Sequence, residues 1–435
     1  MTQWKKVKIG DVCKIVKGTT GIASAETGEY PLVVTAEERK TCSTYQFDCE
    51  AVCIPLVSSS GHGKKSLNNV HYQSGKFALG TILCAVIPNN SDELDARFLH
   101  QYLQFYKDTV LVPLMKGAAN VSLSMRDIAT VEIPLPPIEK QRELSALFVT
   151  LQENQKKLVT ETEKQFEYAK QLRQNILQDA IEGKLTADWR KSHPVIKGDP
   201  DYDAEALFEQ IQKEKTDKKQ KKLPPITEEE KPFDIPEGWK WVRLDDICCK
   251  IVDCPHSTPI KSESITNYPC IRTSEIKNGE IFWSSMQYIN FDEYEKRTVR
   301  LKPQENDIVY AREGSFGGAV ILPKGYNFAL GQRTMLMRVA EKFVCSRYVL
   351  HLIISPFLYK QAISKNRGAT VGHVNVNDIR NFVAPFPPFA EQEEVVNKVD
   401  HLLAKVAELE SQIAERENMA KQLMQSILKD AFEEG

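Results

Sequence analysis

The feature that most constrains this chain is an internal repeat with a rod-forming tail. The segment Trp4-Lys-Lys-Val-Lys-Ile-Gly-Asp-Val-Cys13 returns as Trp239-Lys-Trp-Val-Arg-Leu-Asp-Asp-Ile-Cys248, 235 residues later. GAANVSLSMRDIATVEIPLPPIEKQREL, from Gly117 to Leu144, returns as GATVGHVNVNDIRNFVAPFPPFAEQEEV, from Gly368 to Val395, 251 residues later. The second copy therefore carries 16 extra residues between its landmarks. Each copy reads as a variable body followed by a nearly fixed tail, and a repeat of this kind bounds the architecture before any local motif does.

The tails are long helices. Pro136-Pro137 and Pro387-Pro388 end a strand and start a helix, because proline is tolerated only in a helix's first turn. From there apolar residues recur four and three apart. In the first tail the seam runs Leu144, Phe148, Leu151, Gln155, Leu158, Thr162, Gln165, Ala169, Leu172, Ile176, Ala180. In the second it runs Val395, Val399, Leu402, Val406, Leu409, Ile413, Arg416, Ala420, Leu423, Ile427, Ala431. A period of 3.5 residues is that of a coiled coil. About 45 residues at the α-helical rise make rods of roughly 65–70 Å. Neither stripe is stable in water, and two matched seams in one chain predict that they pair with each other. The alternatives are packing of each helix on its own body, or dimerisation.

The expected organisation is a first body at 1–135, a helix at 136–185, a charged linker at 186–235, a second body at 236–386 and a helix at 387–435. The linker assignment rests on KSHPVIKGDPD, on EALFEQIQKEKTDKKQKK and on flanking prolines, a composition typical of a solvated face. The bodies alternate short β-rich runs with Gly/Asn/Ser turns, as in Ala51–Val57, Thr81–Ile87, Asp307–Ala311 and Met335–Val339. Helices are expected at Asp95–Lys107 and Ser346–Ile363. The fold class is α+β: two globular mixed bodies with antiparallel or mixed sheets, two long antiparallel coiled-coil helices, and an internal pseudo-two-fold repeat.

Net charge is −2, which argues mildly against a nucleic-acid partner until it is divided. Residues 236–383 hold 20 Lys and Arg against 15 Asp and Glu, whereas residues 1–134 hold 14 against 13. A local phosphate-binding face is compatible with a neutral total. MTQWKKVKIGD has no apolar signal core and no run approaches a membrane span, so an intracellular location without membrane contact is expected. The ten cysteines lack framework spacing. Cys248, Cys249, Cys254 and His256 match no common zinc module, and buried thiols explain them better.

No catalytic centre stands out. SSSGHGKKS, from Ser58 to Ser66, lacks the leading glycine of a phosphate loop and has Lys65 where Ser or Thr is needed. No glycine-rich methyl-donor fingerprint follows a strand, and no Asn/Asp-Pro-Pro-aromatic segment is present. Pro200-Asp201 with Asp217-Lys218-Lys219 imitates a nuclease pattern but lies in the charged linker. What remains is binding chemistry in turns. Arginine can pair with guanine, Asn or Gln with adenine, and small polar residues admit the DNA backbone. The candidates are Ser59, Ser60, His62, Lys64, Lys65, Asn68 and Asn120 in the first body. In the second they are Arg272, Thr273, Ser274, Arg312, Ser315, Gln332, Arg333, Arg367, Thr370 and His373. Any one of them, taken alone, is equally an ordinary surface turn residue.

IPEGWKWVRLDDI (Ile235–Ile247), DIVYAREGSFGGAVILP (Asp307–Pro323), PLPPIEKQREL, PFPPFAEQEEVV and QNILQDAIEGKLTADWR (Gln174–Arg190) together resemble the specificity subunits of Type I restriction-modification systems, in order and along the whole chain. That resemblance implies two target-recognition domains, each reading one half of a bipartite site on double-stranded DNA. It implies paired helices acting as a ruler, two docked modification subunits, and restriction subunits. S-adenosylmethionine, ATP and Mg2+ would belong to those partners, with adenine N6 methylated after base flipping and no cofactor held by this chain. The two bodies differ beyond their edges, so the implied target is asymmetric. A fused restriction-methylation enzyme and a coiled-coil adaptor without DNA contact are the competing readings.

Overall fold

Ala51-Val-Cys-Ile-Pro55 and Ile308-Val-Tyr-Ala311 are apolar at every position, the mark of strands covered on both faces. Both are buried throughout in the computed structural model, which describes residues 4–60, 63–215, 223–277, 279–314, 317–366 and 372–433. The chain divides into two compact units, Met1–Glu163 with Ile413–Gly435, and Lys164–Gln412. Each unit takes part of both long helices.

In the first unit an antiparallel sheet has the order Cys13–Lys17, Leu83–Pro88, Ala51–Pro55, His71–Gln73. A second sheet contains Lys40–Cys42, Tyr30–Val33, Lys76–Leu79 and Phe47–Asp48, its middle pair parallel. The helix Ala96–Val110 starts where Asp95 accepts from the amides of Arg97 and Phe98. Its Phe98, Leu99 and Leu103 enter the core beneath the first sheet.

The second unit repeats this plan. Its main sheet has the order Cys248–Asp253, Thr334–Val339, Ile308–Ala311, Ala319–Ile321. The repeated segments form equivalent elements: Lys6–Lys8 pairs with Glu132–Pro134, Lys240–Arg243 pairs with Val383–Phe386, and a one-turn helix follows each first strand. A buried glutamine ties each body to its long helix. The Gln141 carboxamide accepts from the Asp95 amide at 2.9 Å and donates to the carbonyls of Glu93 and Pro136, both at 2.8 Å. Gln392 accepts from the Cys345 amide at 2.8 Å and donates to Phe343 and Pro387 at 3.4 and 3.1 Å. Both glutamines are fully buried, so each closes backbone groups that would otherwise be stranded.

The long helices are Ile138–Ile181 and Phe389–Glu433. In the first unit Leu144 and Phe148 pack with Leu428 and Phe432. In the second, Ala169, Ile176 and Ala180 share a core with Val395, Val399 and Val406. There Arg173 makes a bidentate pair with Glu410 at 3.2 and 2.7 Å, while Thr186 meets Glu391. Numbers rise along one helix as they fall along the other, so the pairing is antiparallel.

Three expected seam residues are not in the seam. Leu172, Leu409 and Leu423 are 43%, 48% and 61% exposed. A helix turning at 3.6 residues drifts about 20° per heptad from a strict 3.5 repeat. The inward row therefore steps one place on, to Arg173, Glu410 and Met424, whereas Leu151, Leu158, Leu402 and Ile427 remain half-buried and Ile413 is buried.

Two further expectations are corrected. Part of the charged segment 186–235 is packed rather than solvated: the helix Ala204–Glu214 buries Leu207 and Ile211, one turn apart, in the second unit's core. The single helix expected at Ser346–Ile363 is two, Ser346–Ile353 and Pro356–Ser364, because Ser355 caps a new helix with proline in its first turn. Among the described residues no helix is long and apolar enough to cross a membrane.

Candidate nucleic-acid interface

Strand Ala51–Pro55 runs into a loop that is fastened to the segment before the first long helix. Ser58 N donates to Val121 O at 3.0 Å and Leu123 N to Leu56 O at 2.9 Å, flanking an isolated bridge between Val57 and Ser122. Strand Ile308–Ala311 ends in the same way. Gly314 N donates to Gly372 O at 2.9 Å and Val374 N to Arg312 O at 3.0 Å, flanking a bridge between Glu313 and His373. The repeat thus delivers one equivalent pinned loop per unit.

In the first unit this brings the loop 58–69 against 116–122. Gly63, at φ +74°, lets the backbone pass so close to the Ala118 carbonyl that a Cβ there would collide with it. Serines build the loop: Ser58 Oγ donates to Lys64 O at 2.5 Å, Ser60 and Ser66 hydroxyls meet at 2.7 Å, and Ser59 Oγ accepts from Asn68 N at 3.0 Å. Ser59 and Ser60 therefore hold shape. Among the described residues, the exposed polar side chains here include Ser59, Lys64, Lys65, Asn68 and, across the gap, Lys116 and Asn120.

In the second unit three turns converge. Gly331 N donates to Ile271 O at 2.7 Å, bringing 331–334 beside 272–275, and Arg312 N donates to Arg333 O at 3.0 Å, joining the pinned loop. Arg312, expected to face DNA, is instead 4% exposed. Its guanidinium donates to Asp253 at 2.9 Å and pairs with Glu313 at 2.9 Å, with His373 Nδ1 at 3.3 Å. A charge buried this deeply needs those carboxylates, which engage its Nε and Nη1. Arg272 is similarly engaged: it donates to both oxygens of the fully buried Glu275, which also takes the Ser274 hydroxyl at 2.7 Å. Thr273 opens the same short turn, half-buried. Gln332 donates to His256 O at 2.7 Å, and His373 Nε2 lies 3.0 Å from Asn375 Oδ1.

Arg333 differs. It is exposed, its ion pair with Glu313 is a loose 3.6 Å contact, and its φ is +68°. Among the described residues only Asn306 shares a positive φ without being glycine. Strain of that kind, in an exposed arginine at the meeting point of three turns, makes Arg333 a candidate contact of this interface. His62, Ser315, Arg367 and Thr370 lie outside the described residues, as does Asp217-Lys218-Lys219.

The cysteines give no second kind of site. Burial pushes the thiols of Cys13, Cys84, Cys248 and Cys270 up to about 12, so they stay protonated. Among the described residues no cluster of His, Cys, Asp and Glu has the arrangement of a metal site.

The profile of the Type I restriction modification DNA specificity domain matches residues 1–167 and 236–416, one copy on each repeat. The chain belongs to that family. The specificity subunit of the Type I restriction enzyme EcoAI from Escherichia coli is 30% identical over 255 residues, which span 53% of this chain and 39% of that protein. The EcoDI specificity subunit, also from Escherichia coli, is 22% identical over 439 residues, 99% of this chain and 88% of that one. A chain solved in work on complex assembly and conformational transition of the type I R-M system superposes with a TM-score of 0.58 at 17% identity, covering 100% of this chain and 98% of its own, which shows a shared fold.

In this specificity-family chain two of the arginines that the sequence singled out, Arg272 and Arg312, are engaged by carboxylates. Gln141 and Gln392 were not singled out, although aligning the two repeats puts these glutamines at the same offset as the helix-start prolines.

Proposed function

We propose that the chain is the non-catalytic DNA-reading subunit of a Type I restriction-modification complex, each unit reading one half of a bipartite, asymmetric site on double-stranded DNA. The observation that carries this is the same backbone-pinned loop at the end of equivalent strands, mounted with different residues. The first unit presents Lys64, Lys65, Asn68 and Asn120; the second presents Arg333 with Gln332 beside it. Arginine over guanine and lysine on phosphate are the corresponding chemistries.

The paired helices serve as the spacer between half-sites, whose separation then follows from protein geometry. Leu172 and Leu409 in the second unit, and Leu423 with Met419 in the first, leave apolar side chains in water on the helix surface. Such rows suit docking of modification subunits, adenine-N6 methyltransferases that bring S-adenosylmethionine, and of restriction subunits that bring ATP and Mg2+. The complex acts in the cytoplasm, on chromosomal and invading DNA.

Co-expression with a modification subunit, followed by single-molecule mapping of methylated adenines, tests this. Methylation at one asymmetric bipartite sequence, dependent on both chains, is expected. Methylation by this chain alone refutes the reading, and an assembled complex without specific binding favours the adaptor.

A further inference from the structure

Three segments that neither the pinned loops nor the helix seam employs meet in the second unit: Thr186–Arg190, Pro236–Trp239 and Pro388–Glu391. Their hub is Glu391, 1% exposed. Its Oε1 accepts from Thr186 Oγ1 at 2.6 Å and from Arg190 Nη1 at 2.5 Å, and its Oε2 accepts from the Trp239 indole at 2.7 Å. Glu391 is thereby satisfied, and the charge of Arg190 is matched.

Beside this hub lies a cavity of about 280 Å3, lined by Trp189, His193, Tyr202 and Glu237 together with Arg190 and Glu391. The rings of Trp189 and His193 stack at 4.2 Å and 10°, and Tyr202 lies parallel to both within 13°. Glu237 is exposed, and among the described residues it forms no ion pair. The cavity therefore offers parallel aromatic surfaces and one unmatched carboxylate. A phosphate is repelled there. A flat, weakly hydrated cation is attracted both by the ring faces and by the carboxylate, and the guanidinium group has that shape.

We propose that this cavity seats an arginine side chain of the modification subunit, an assignment that rests on the family reading above. Of its lining, Trp189 and Arg190 lie in the segment Gln174–Arg190, Glu237 in Ile235–Ile247 and Pro388 in the repeated helix start, all outside the unlike parts of the bodies. The cavity's frame is thus independent of the DNA sequence read, as a site for a constant partner must be.

The test is a titration of the full-length chain with the modification subunit at low and moderate salt, for the wild type, Glu237→Gln, Glu237→Arg and Tyr202→Leu. Melting temperatures accompany it to confirm folding; Glu237, exposed and unpaired, can be changed without disturbing the core. Glu237→Gln is expected to weaken assembly about tenfold, the scale of losing one close charge pair across an interface. Glu237→Arg is expected to weaken it further, and the loss to shrink as salt rises. Unchanged affinity in both Glu237 variants, with the wild type assembling, overturns the proposal. Loss confined to the restriction subunit or to self-association overturns the assigned occupant. A wild-type chain that does not assemble with the modification subunit refutes the proposed function on which this rests.

Discussion

Replacing Arg333 by glycine separates the structural from the recognition role of one residue. Its φ of +68° lies in the left-handed region, where a side chain costs about 1 kcal/mol that glycine avoids. Its contact with Glu313 is 3.6 Å long and solvent-exposed, worth no more than a few tenths of a kcal/mol. Glu313 keeps Arg312 and His373 when Arg333 is removed, so no carboxylate is stranded. Arg333→Gly should therefore raise the second unit's stability by roughly 0.5–1 kcal/mol, seen as about 1–4 °C in Tm. The same change should weaken specific DNA binding by the assembled complex by about 1–3 kcal/mol, near tenfold to a hundredfold. Arg333→Ala should lose binding equally without the gain in stability. Differential scanning fluorimetry and competition binding against non-cognate duplex read the two effects on one preparation. Wild-type affinity in Arg333→Gly, or a variant that is clearly destabilised, refutes the reasoning.

Arg312→Met should lower stability by about 1–3 kcal/mol, because it takes from Asp253 and Glu313 their nearest cation and leaves Asp253 with His256 at 3.5 Å; normal denaturant unfolding with selective loss of DNA binding would contradict its buried role. Burial and the adjacent Arg39 hold His71 down at about 4 from an ordinary 6.5. Its neutral form therefore contributes stability fully above pH 6.5, lost progressively as pH falls toward 4, by at most about 3 kcal/mol. Melts of the wild type and His71→Gln across that range should converge at low pH; parallel curves would refute this. Val399→Asp, aimed into the helix interface, should unfold the second unit's helix pairing as followed by circular dichroism. Leu409→Lys, on the exposed side, should leave folding intact and weaken only partner docking; a folding defect there would restore the strict heptad.

The repeat, the two rods and the principal strands were legible because each is written in local periodicity and in self-similarity. Charge composition was a poorer guide. AEALFEQIQKE carries Leu207 and Ile211 four apart, an amphipathic signal that the surrounding lysines and glutamates obscured. The seam was read to within one residue, and the error at Leu172, Leu409 and Leu423 is the accumulated difference between two helical periods. The roles of the arginines could not be read locally. Asp253, which engages Arg312, is 59 residues away in the chain, and only folding shows which cation already has its anion.

The rungs that pin both loops to their neighbouring segments join main-chain amides to main-chain carbonyls. Such a fastening is indifferent to the side chains it carries, apart from the glycine that a tight passage requires at position 63. A lineage can therefore exchange what is mounted in either socket, by mutation or by recombination between genes, without redesigning the socket. Innovation in target choice and conservation of assembly are thereby uncoupled within one polypeptide.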